Sequence, residues 1–281
     1  MKDTHLPNQA AQLAARLLRK RTGQVISPDR TWRIDGAIET VLRRRGITNG
    51  SDILSLLTQP DSAAVERELV DTLLNNESYF FRDRPVFAQL AGQVLPSLCR
   101  ARSQTRTLRI WSAGCSTGQE PLSLAIMLIE QGLTPANGWN VDLVASDVSH
   151  SAIEFARKGL YSRFEIQRGL GVSQMLQHFA ETPDGWQASR QLLRMIHYRQ
   201  ANLLGATPAG SPFDLILCRN VMLYLGDEEK RTACERLGAA LARDGRLLLG
   251  AGEASLERTS GFEPASLDVA LYGLVARPLA A

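Results

Sequence analysis

The sequence predicts an α/β protein. A mostly parallel sheet flanked by helices carries an antiparallel last strand and a small inserted β-subdomain, and an all-α domain precedes it. Three observations predict this. Helical periodicity recurs through residues 8–74, and no strand signal precedes residue 107. Beyond 107, apolar runs of strand length alternate with helical stretches, the pattern of a parallel sheet. The last two strand-like runs, 246–251 and 271–276, have no convincing helix between them, which favours an antiparallel pair.

In the helical domain, the first helix covers 10–20, with Leu13 and Leu17 at helical spacing and Gly23 as its stop. A second opens near Ser27-Pro28-Asp29, where Ser27 can cap and Pro28 suits the first turn, and runs through Ile34, Ile38, Val41 and Leu42 to Gly46. A third covers 51–57, and a fourth covers 63–74 with Val65, Leu69 and Leu73 on one stripe. The second domain, 75–281, has strands at 108–112, 141–146, 195–199, 213–218, 246–251 and 271–276. Helices fall at 121–131, 149–158 and 227–242. Between 168 and 194 the pattern weakens around the turn Thr182-Pro183-Asp184-Gly185; the inserted hairpin or three-stranded flap is placed at about residues 171–198.

Composition excludes several classes. The 281 residues are 44% apolar and 22% charged, as in an ordinary soluble domain. A net charge of +3 is too small to argue a nucleic-acid partner. No run approaches the roughly 18 apolar residues of a membrane span, and the N-terminus lacks the apolar segment of a signal peptide. A cytoplasmic monomer is expected. Cys99, Cys115, Cys218 and Cys234 form no Cys-x-x-Cys pair, and the four histidines show no ligand spacing, so no metal site is expected.

Residues 108–121 carry the most chemistry. An apolar run ends in Ser-Ala-Gly-Cys-Ser-Thr-Gly and a helix opens at Pro121, the strand–turn–helix that lets backbone approach a nucleotide-like ligand. Gly114 and Gly118 are the turn glycines; a side chain there would hold a ligand away. The spacing is neither the dinucleotide fingerprint nor a P-loop. Glu120 at the lip would repel phosphate but suits a cationic cofactor such as S-adenosylmethionine. Asp147, after the second strand, is read either as a ribose acceptor or as a helix cap, with the ribose role favoured by the glycine turn one strand earlier. Arg219, Asn220 and Tyr224 follow the fourth strand, where cofactor and substrate would meet; the alternatives are a cap and a core tyrosine. Asn202 is placed similarly. In 76–83, three consecutive aromatics precede Arg82, which burial at a domain junction would explain; the alternative is an aromatic hinge with an exposed Arg82 paired to Asp83. Arg30, Arg33, Arg43, Arg44 and Arg45 form a basic side of the second helix, either a solvated face or a docking surface.

Five stretches, in order, resemble the CheR-type chemoreceptor methyltransferases over nearly the full chain: Asn-Glu-Ser-Tyr-Phe-Phe-Arg-Asp (76–83), Trp-Ser-Ala-Gly-Cys-Ser-Thr-Gly-Gln-Glu-Pro (111–121), Ala-Ser-Asp (145–147), Ala-Asn-Leu-Leu (201–204) and Cys-Arg-Asn-Val-Met-Leu-Tyr (218–224). The resemblance implies a Rossmann-like S-adenosylmethionine-dependent methyltransferase domain behind a receptor-facing helical domain. It also implies methyl transfer to glutamates on the cytoplasmic helices of chemoreceptors, with S-adenosylhomocysteine as product. By position, Asn76, Ser78, Arg82, Gly114, Glu120, Asp147, Asn202, Leu203, Arg219 and Asn220 match cofactor-contacting positions. Arg82 and Tyr224 match the pair flanking the methyl-transfer site, and Arg43, Arg44 and Arg45 match the receptor-binding face. Ser78 stands where threonine is common and Leu122 where an aromatic is common. The turn at 181–186 is similar to that of members that do not grip a receptor's C-terminal pentapeptide. Rival readings are a methyltransferase with another substrate and a catalytically silent cofactor-binding regulator; a dehydrogenase lacks its third glycine.

Overall fold

A computed structural model describes residues 8–47, 52–60, 62–253, 261–265 and 270–275. The chain divides into two compact units, one holding residues up to Asn75 together with Tyr224–Glu229, the other Asn76–Leu223 with the residues from Lys230 on.

The first unit is built on α1 (Asn8–Thr22), α2 (Trp32–Arg44), α3 (Asp52–Leu57) and α4 (Ala63–Leu73). Gly23, at φ +78°, takes the left-handed turn that ends α1. In α2 the residues Ile34, Ile38, Val41 and Leu42 are buried, and in α4 Val65, Leu69 and Leu73, as their spacing predicts. The start of α2 differs from expectation. Pro28–Arg30 form a 3-10 turn, the α-helix begins at Trp32, and Ser27 makes no capping bond. Its hydroxyl faces the Asp29 carboxyl instead and holds that acid below its usual range. Gln24 bridges to Leu225, and the Tyr224 hydroxyl accepts from Asn75 Nδ2 at 2.6 Å. Ser51, expected in the third helix, lies outside the described residues.

The second unit opens with a helix absent from the sequence pattern: α5 (Arg84–Gln89), a π-helical turn (Leu90–Val94) and α6 (Leu95–Ala101). Pro85, Gly92 and Pro96 mask its periodicity. Pro85 sits in the first turn of α5, and Pro96 sits in the first turn of α6, two residues past the widened π turn, where a missing N–H costs little. The chain continues β1 (Thr107–Ala113), α7 (Gln119–Glu130), β2 (Asn140–Asp147), α8 (His150–Lys158), β3 (Leu160–Tyr161), α9 (Arg163–Gln167), α10 (Val172–His178), β4 (Phe179–Thr182), β5 (Gly185–Ala188), α11 (Arg190–Arg194), β6 (Ile196–Gln200), β7 (Phe213–Cys218), α12 (Asp227–Ala240), β8 (Leu241–Leu249), β9 (Phe262–Pro264) and β10 (Leu271–Leu274).

The main sheet has the order β6-β2-β1-β7-β8-β10-β9. Its first five strands are parallel, and β10 runs antiparallel to β8 and β9. Strand β9 was not evident in the sequence, being three residues with only Phe262 buried. Every residue of β7 is buried, which explains its apolar character; the exception, Asp214, accepts from Arg102 Nε at 2.7 Å and from the Arg109 N–H at 2.8 Å. The chain leaves β1 toward β2 on one side and returns to β7 on the other, so the crevice of a doubly wound sheet falls at the carboxyl ends of β1 and β7.

The inserted sheet, β3-β5-β4, is antiparallel. It starts upstream of the expected 171–198, because β3 is only two residues long and shows no alternation; β6, expected partly within the insertion, pairs with β2 of the main sheet. Phe80, fully buried, packs edge-on against Tyr161 and Phe179 at centroid distances of 5.1 and 5.5 Å. The aromatic run of 79–81 is therefore anchored under the inserted sheet. Among the described residues, no helix is long and apolar enough to cross a membrane.

Candidate functional site

Strand β1 ends in a turn built by glycines. The Gly114 and Cys115 N–H groups both donate to the Ser146 carbonyl, at 2.7 and 2.9 Å, which locks the turn to β2. Gly114 has φ +80°, and a Cβ there would stand 2.2 Å from Val221 Cγ2. Gly118, at φ +95°, caps α7, and its Cβ would meet Ala156 Cβ at 2.8 Å. The protein's own neighbours exclude side chains here, a second reason for glycine beside ligand approach.

The Asp147 carboxylate ties the two turns together. One oxygen accepts the Ser116 N–H at 2.8 Å and the other the Ser149 N–H at 2.9 Å. The cap of α8 is Ser149, whose hydroxyl accepts the Ala152 N–H at 3.1 Å. Asp147 is therefore not that cap. The Ser116 hydroxyl donates to the Asn76 carbonyl at 2.7 Å, and Asn76 Nδ2 lies 3.5 Å from Ser149 Oγ, so segment 76–83 crosses the edge of the sheet at these turns.

Arg219, at the end of β7, organises the other side. Its side chain is 1% exposed. Nη1 donates to Glu120 at 3.1 Å; Nη2 donates to Asp83 at 2.6 Å and to the Arg82 carbonyl at 2.9 Å. Glu120 also accepts the Ser112 hydroxyl at 2.8 Å. The carboxylate read as an anchor for a cation thus lies in a charge-assisted network, and Asp83, which the sequence offers only as a partner for Arg82, completes it by pairing with Arg219.

This network braces the backbone of 82–83 over the carboxyl edge. The Phe81 N–H donates to Ser123 Oγ at 2.9 Å on α7. Gly169 presses so closely that a Cβ would stand 1.8 Å from the Phe80 carbonyl oxygen. Arg82 lies 5.5 Å from the Tyr79 ring, and Arg168 lies 4.3 Å from the same ring while pairing with Glu77 at 2.8 Å. That pairing holds the Glu77 carboxyl below its usual range. Phe81, Asp83, Ser116 and Asn220 all have positive φ, and Arg106 is the remaining such non-glycine among the described residues. Left-handed backbone concentrated in this way is typical of a functional site.

Asn202, after β6, accepts the Leu204 N–H at 2.9 Å, and Leu203 and Ser78 are half-buried. In the first unit, Arg45 and Arg44 reach Glu68 at 2.9 and 3.7 Å, while Arg43 is exposed. The basic run is thus partly neutralised. A residue that the sequence pattern missed altogether is Glu253, a buried carboxylate directed at the backbone after β7. Two glycines beside an acid at a strand's carboxyl end (Gly250, Gly252) were its one signal.

The residues fit a compact cation with polar edges. Arg219 Nε and Asn220 Oδ1 are buried polar atoms without partners among the described residues, a donor and an acceptor at one strand end. Asp83, Glu120 and Asp147 surround the Arg219 guanidinium and the glycine turn with an excess of negative charge. Cys115 and Cys218 are fully buried, which pushes both thiols up and keeps them protonated.

An open sheet with an antiparallel penultimate strand, a glycine turn after β1 and an acid after β2 defines an S-adenosylmethionine-dependent methyltransferase. The family model described as "CheR methyltransferase, SAM binding domain" matches residues 76–271. The chain belongs to the CheR family. It is similar to Chemotaxis protein methyltransferase 1 of Pseudomonas aeruginosa, 32% identical across 84% of this chain and 87% of that protein. Chemotaxis protein methyltransferase of Vibrio parahaemolyticus is 29% identical across 89% of this chain and 90% of that protein. The probable biofilm formation methyltransferase WspC of P. aeruginosa is 35% identical across 70% of this chain and 46% of its own length.

Proposed function

We propose that this methyltransferase esterifies glutamate side chains on the cytoplasmic helices of chemoreceptors, releasing S-adenosylhomocysteine. The supporting observation is the Arg219 brace, which carries Arg82 to the carboxyl edge of the sheet, where a donor site is expected. The relatives named as chemotaxis protein methyltransferases support a substrate of the chemosensory kind.

When bound, S-adenosylmethionine supplies an electrophilic methyl group on a sulfonium. Asn76, Ser78, Gly114, Glu120, Asp147, Asn202, Leu203, Arg219 and Asn220 are the residues assigned to hold it. A receptor glutamate, with a pKa of roughly 4.3, is ionised at neutral pH and needs no general base. The protein's task is then placement and exclusion of water, which in well-aligned systems supplies several powers of ten in effective molarity. Arg82 orients the incoming carboxylate with its guanidinium, and Tyr224 is assigned a part in methyl transfer by its place in the 218–224 motif. Arg43, Arg44 and Arg45 provide the receptor-facing charge. The short β4–β5 turn accords with action that does not depend on a receptor pentapeptide, in the cytoplasm.

Incubation with tritiated S-adenosylmethionine and receptor-containing membranes tests this proposal. Base-labile methyl esters on the receptor are expected. Label appearing on nucleic acid and not on receptor, or no transfer to any receptor, would refute it.

A further inference from the structure

Glu253 follows β8 and is 2% exposed. Its carboxylate is saturated by backbone donors. One oxygen accepts the N–H groups of Asn220 and Gly250, both at 2.8 Å; the other accepts those of Met222 at 2.7 Å and Leu223 at 3.3 Å. A buried carboxylate is tolerated only when its lone pairs are met in this way. Three of the four donors belong to one turn, the one that follows Arg219. Asn220 in that turn is left-handed at φ +60°, a backbone state that a non-glycine residue holds only when its surroundings impose it. Gly250 leaves room for the clasp: a Cβ there would stand 2.7 Å from the Glu253 oxygen and 3.0 Å from Asn220 N and Nδ2.

We infer that Glu253 is a positioning residue of the cofactor site, holding the turn at 220–223 in the one shape that presents the Asn220 side chain, with its unpartnered Oδ1, to the donor. The inference rests on the reading that Asn220 lines that site. Glu253 acts through Asn220 and touches no reacting atom. A glutamine at this position would turn an NH2 group toward amide donors, so one side of the clasp would open while the side-chain shape stayed nearly constant.

Calorimetric titration with S-adenosylhomocysteine tests this, at a temperature where circular dichroism shows each variant folded. Glu253→Gln is expected to weaken binding about tenfold or more, and Gly250→Ala, which crowds the clasp without burying a new polar group, to weaken it in the same direction. Asn220→Gly, which keeps the left-handed backbone and deletes the amide, is expected to weaken it as well. Combined with Glu253→Gln it should add little, because both changes remove one interaction. Should Glu253→Gln fail to fold, Gly250→Ala and its combination with Asn220→Gly carry the same test. A purely structural glutamate would lower the melting temperature and leave the affinity of the folded protein unchanged, overturning the inference. So would losses that multiply fully in the double variant. If the wild-type protein binds no S-adenosylhomocysteine, the reading of the site itself fails; if it binds and only Asn220→Gly is impaired, the site stands and the role of Glu253 falls.

Discussion

Arg219→Leu removes a guanidinium whose side chain is 1% exposed and which holds Glu120, Asp83 and the Arg82 carbonyl together. Asp83 is 43% exposed and returns to water at small cost. Glu120 is 12% exposed and would keep only the Ser112 hydroxyl among these partners. Breaking a buried pair from one side costs roughly 3–5 kcal/mol; with Ser112 retained and Asp83 resolvated, the lower end, about 3 kcal/mol, applies here. For a chain of this size that is a fall in melting temperature of about 6–12 °C. Glu120→Gln in the same background removes the stranded charge and should restore about 2 kcal/mol, so the double variant melts above Arg219→Leu alone. Differential scanning calorimetry of the four proteins reads the cycle. A loss below about 1 kcal/mol for Arg219→Leu, or strict additivity in the double variant, would refute the brace as an energetic unit.

Gly169→Ala forces a side chain onto φ +95° and into the Phe80 carbonyl, so it should destabilise by at least about 2 kcal/mol in urea titrations, whereas Gly36→Ala, with open space around it, should not destabilise. Arg82→Ala should leave the melting temperature within about 2 °C, because that side chain is only half-buried, and abolish most methyl transfer in the tritium assay. Arg102 holds the Asp244 carboxyl below its usual range, so the pair stabilises the fold above the ordinary carboxylate pKa and is lost as pH falls through the depressed value. The melting gap between wild type and Asp244→Asn should therefore be present at neutral pH, close as acid carries the solution below the ordinary carboxylate range, and shrink with salt, since Asp244 is largely exposed.

What the sequence revealed depended on how far each feature is encoded locally. Strand β7 was legible to the residue because a fully buried parallel strand is a nearly continuous apolar run, broken here by the hydrogen-bonded Asp214. The antiparallel end of the sheet followed from two strand-like runs without a helix between them. The helix at 84–101 was not legible, because two prolines and a glycine interrupt its stripe and the π turn that absorbs one of them has no pattern of its own. The inserted sheet was misplaced at its start since a two-residue strand carries no period. At the candidate site, Asp147, Arg219 and Asn220 stand out in the sequence because they lie at the carboxyl ends of strands of a doubly wound sheet. Their partners do not. Apart from the local Gly250–Glu253 bond, Asp83, Ser116 and Glu253 matter through contacts that span 30 to 136 positions, and no short-range spacing records such pairings.

Hydrogen exchange with and without saturating S-adenosylhomocysteine bears most directly on where the donor sits. Slower exchange is predicted at 76–83, 114–120, 147–149 and 219–223, the turns at the carboxyl ends of β1, β2 and β7 and the segment laid across them. Protection confined to other parts of the chain, or none despite measurable binding, would contradict that placement.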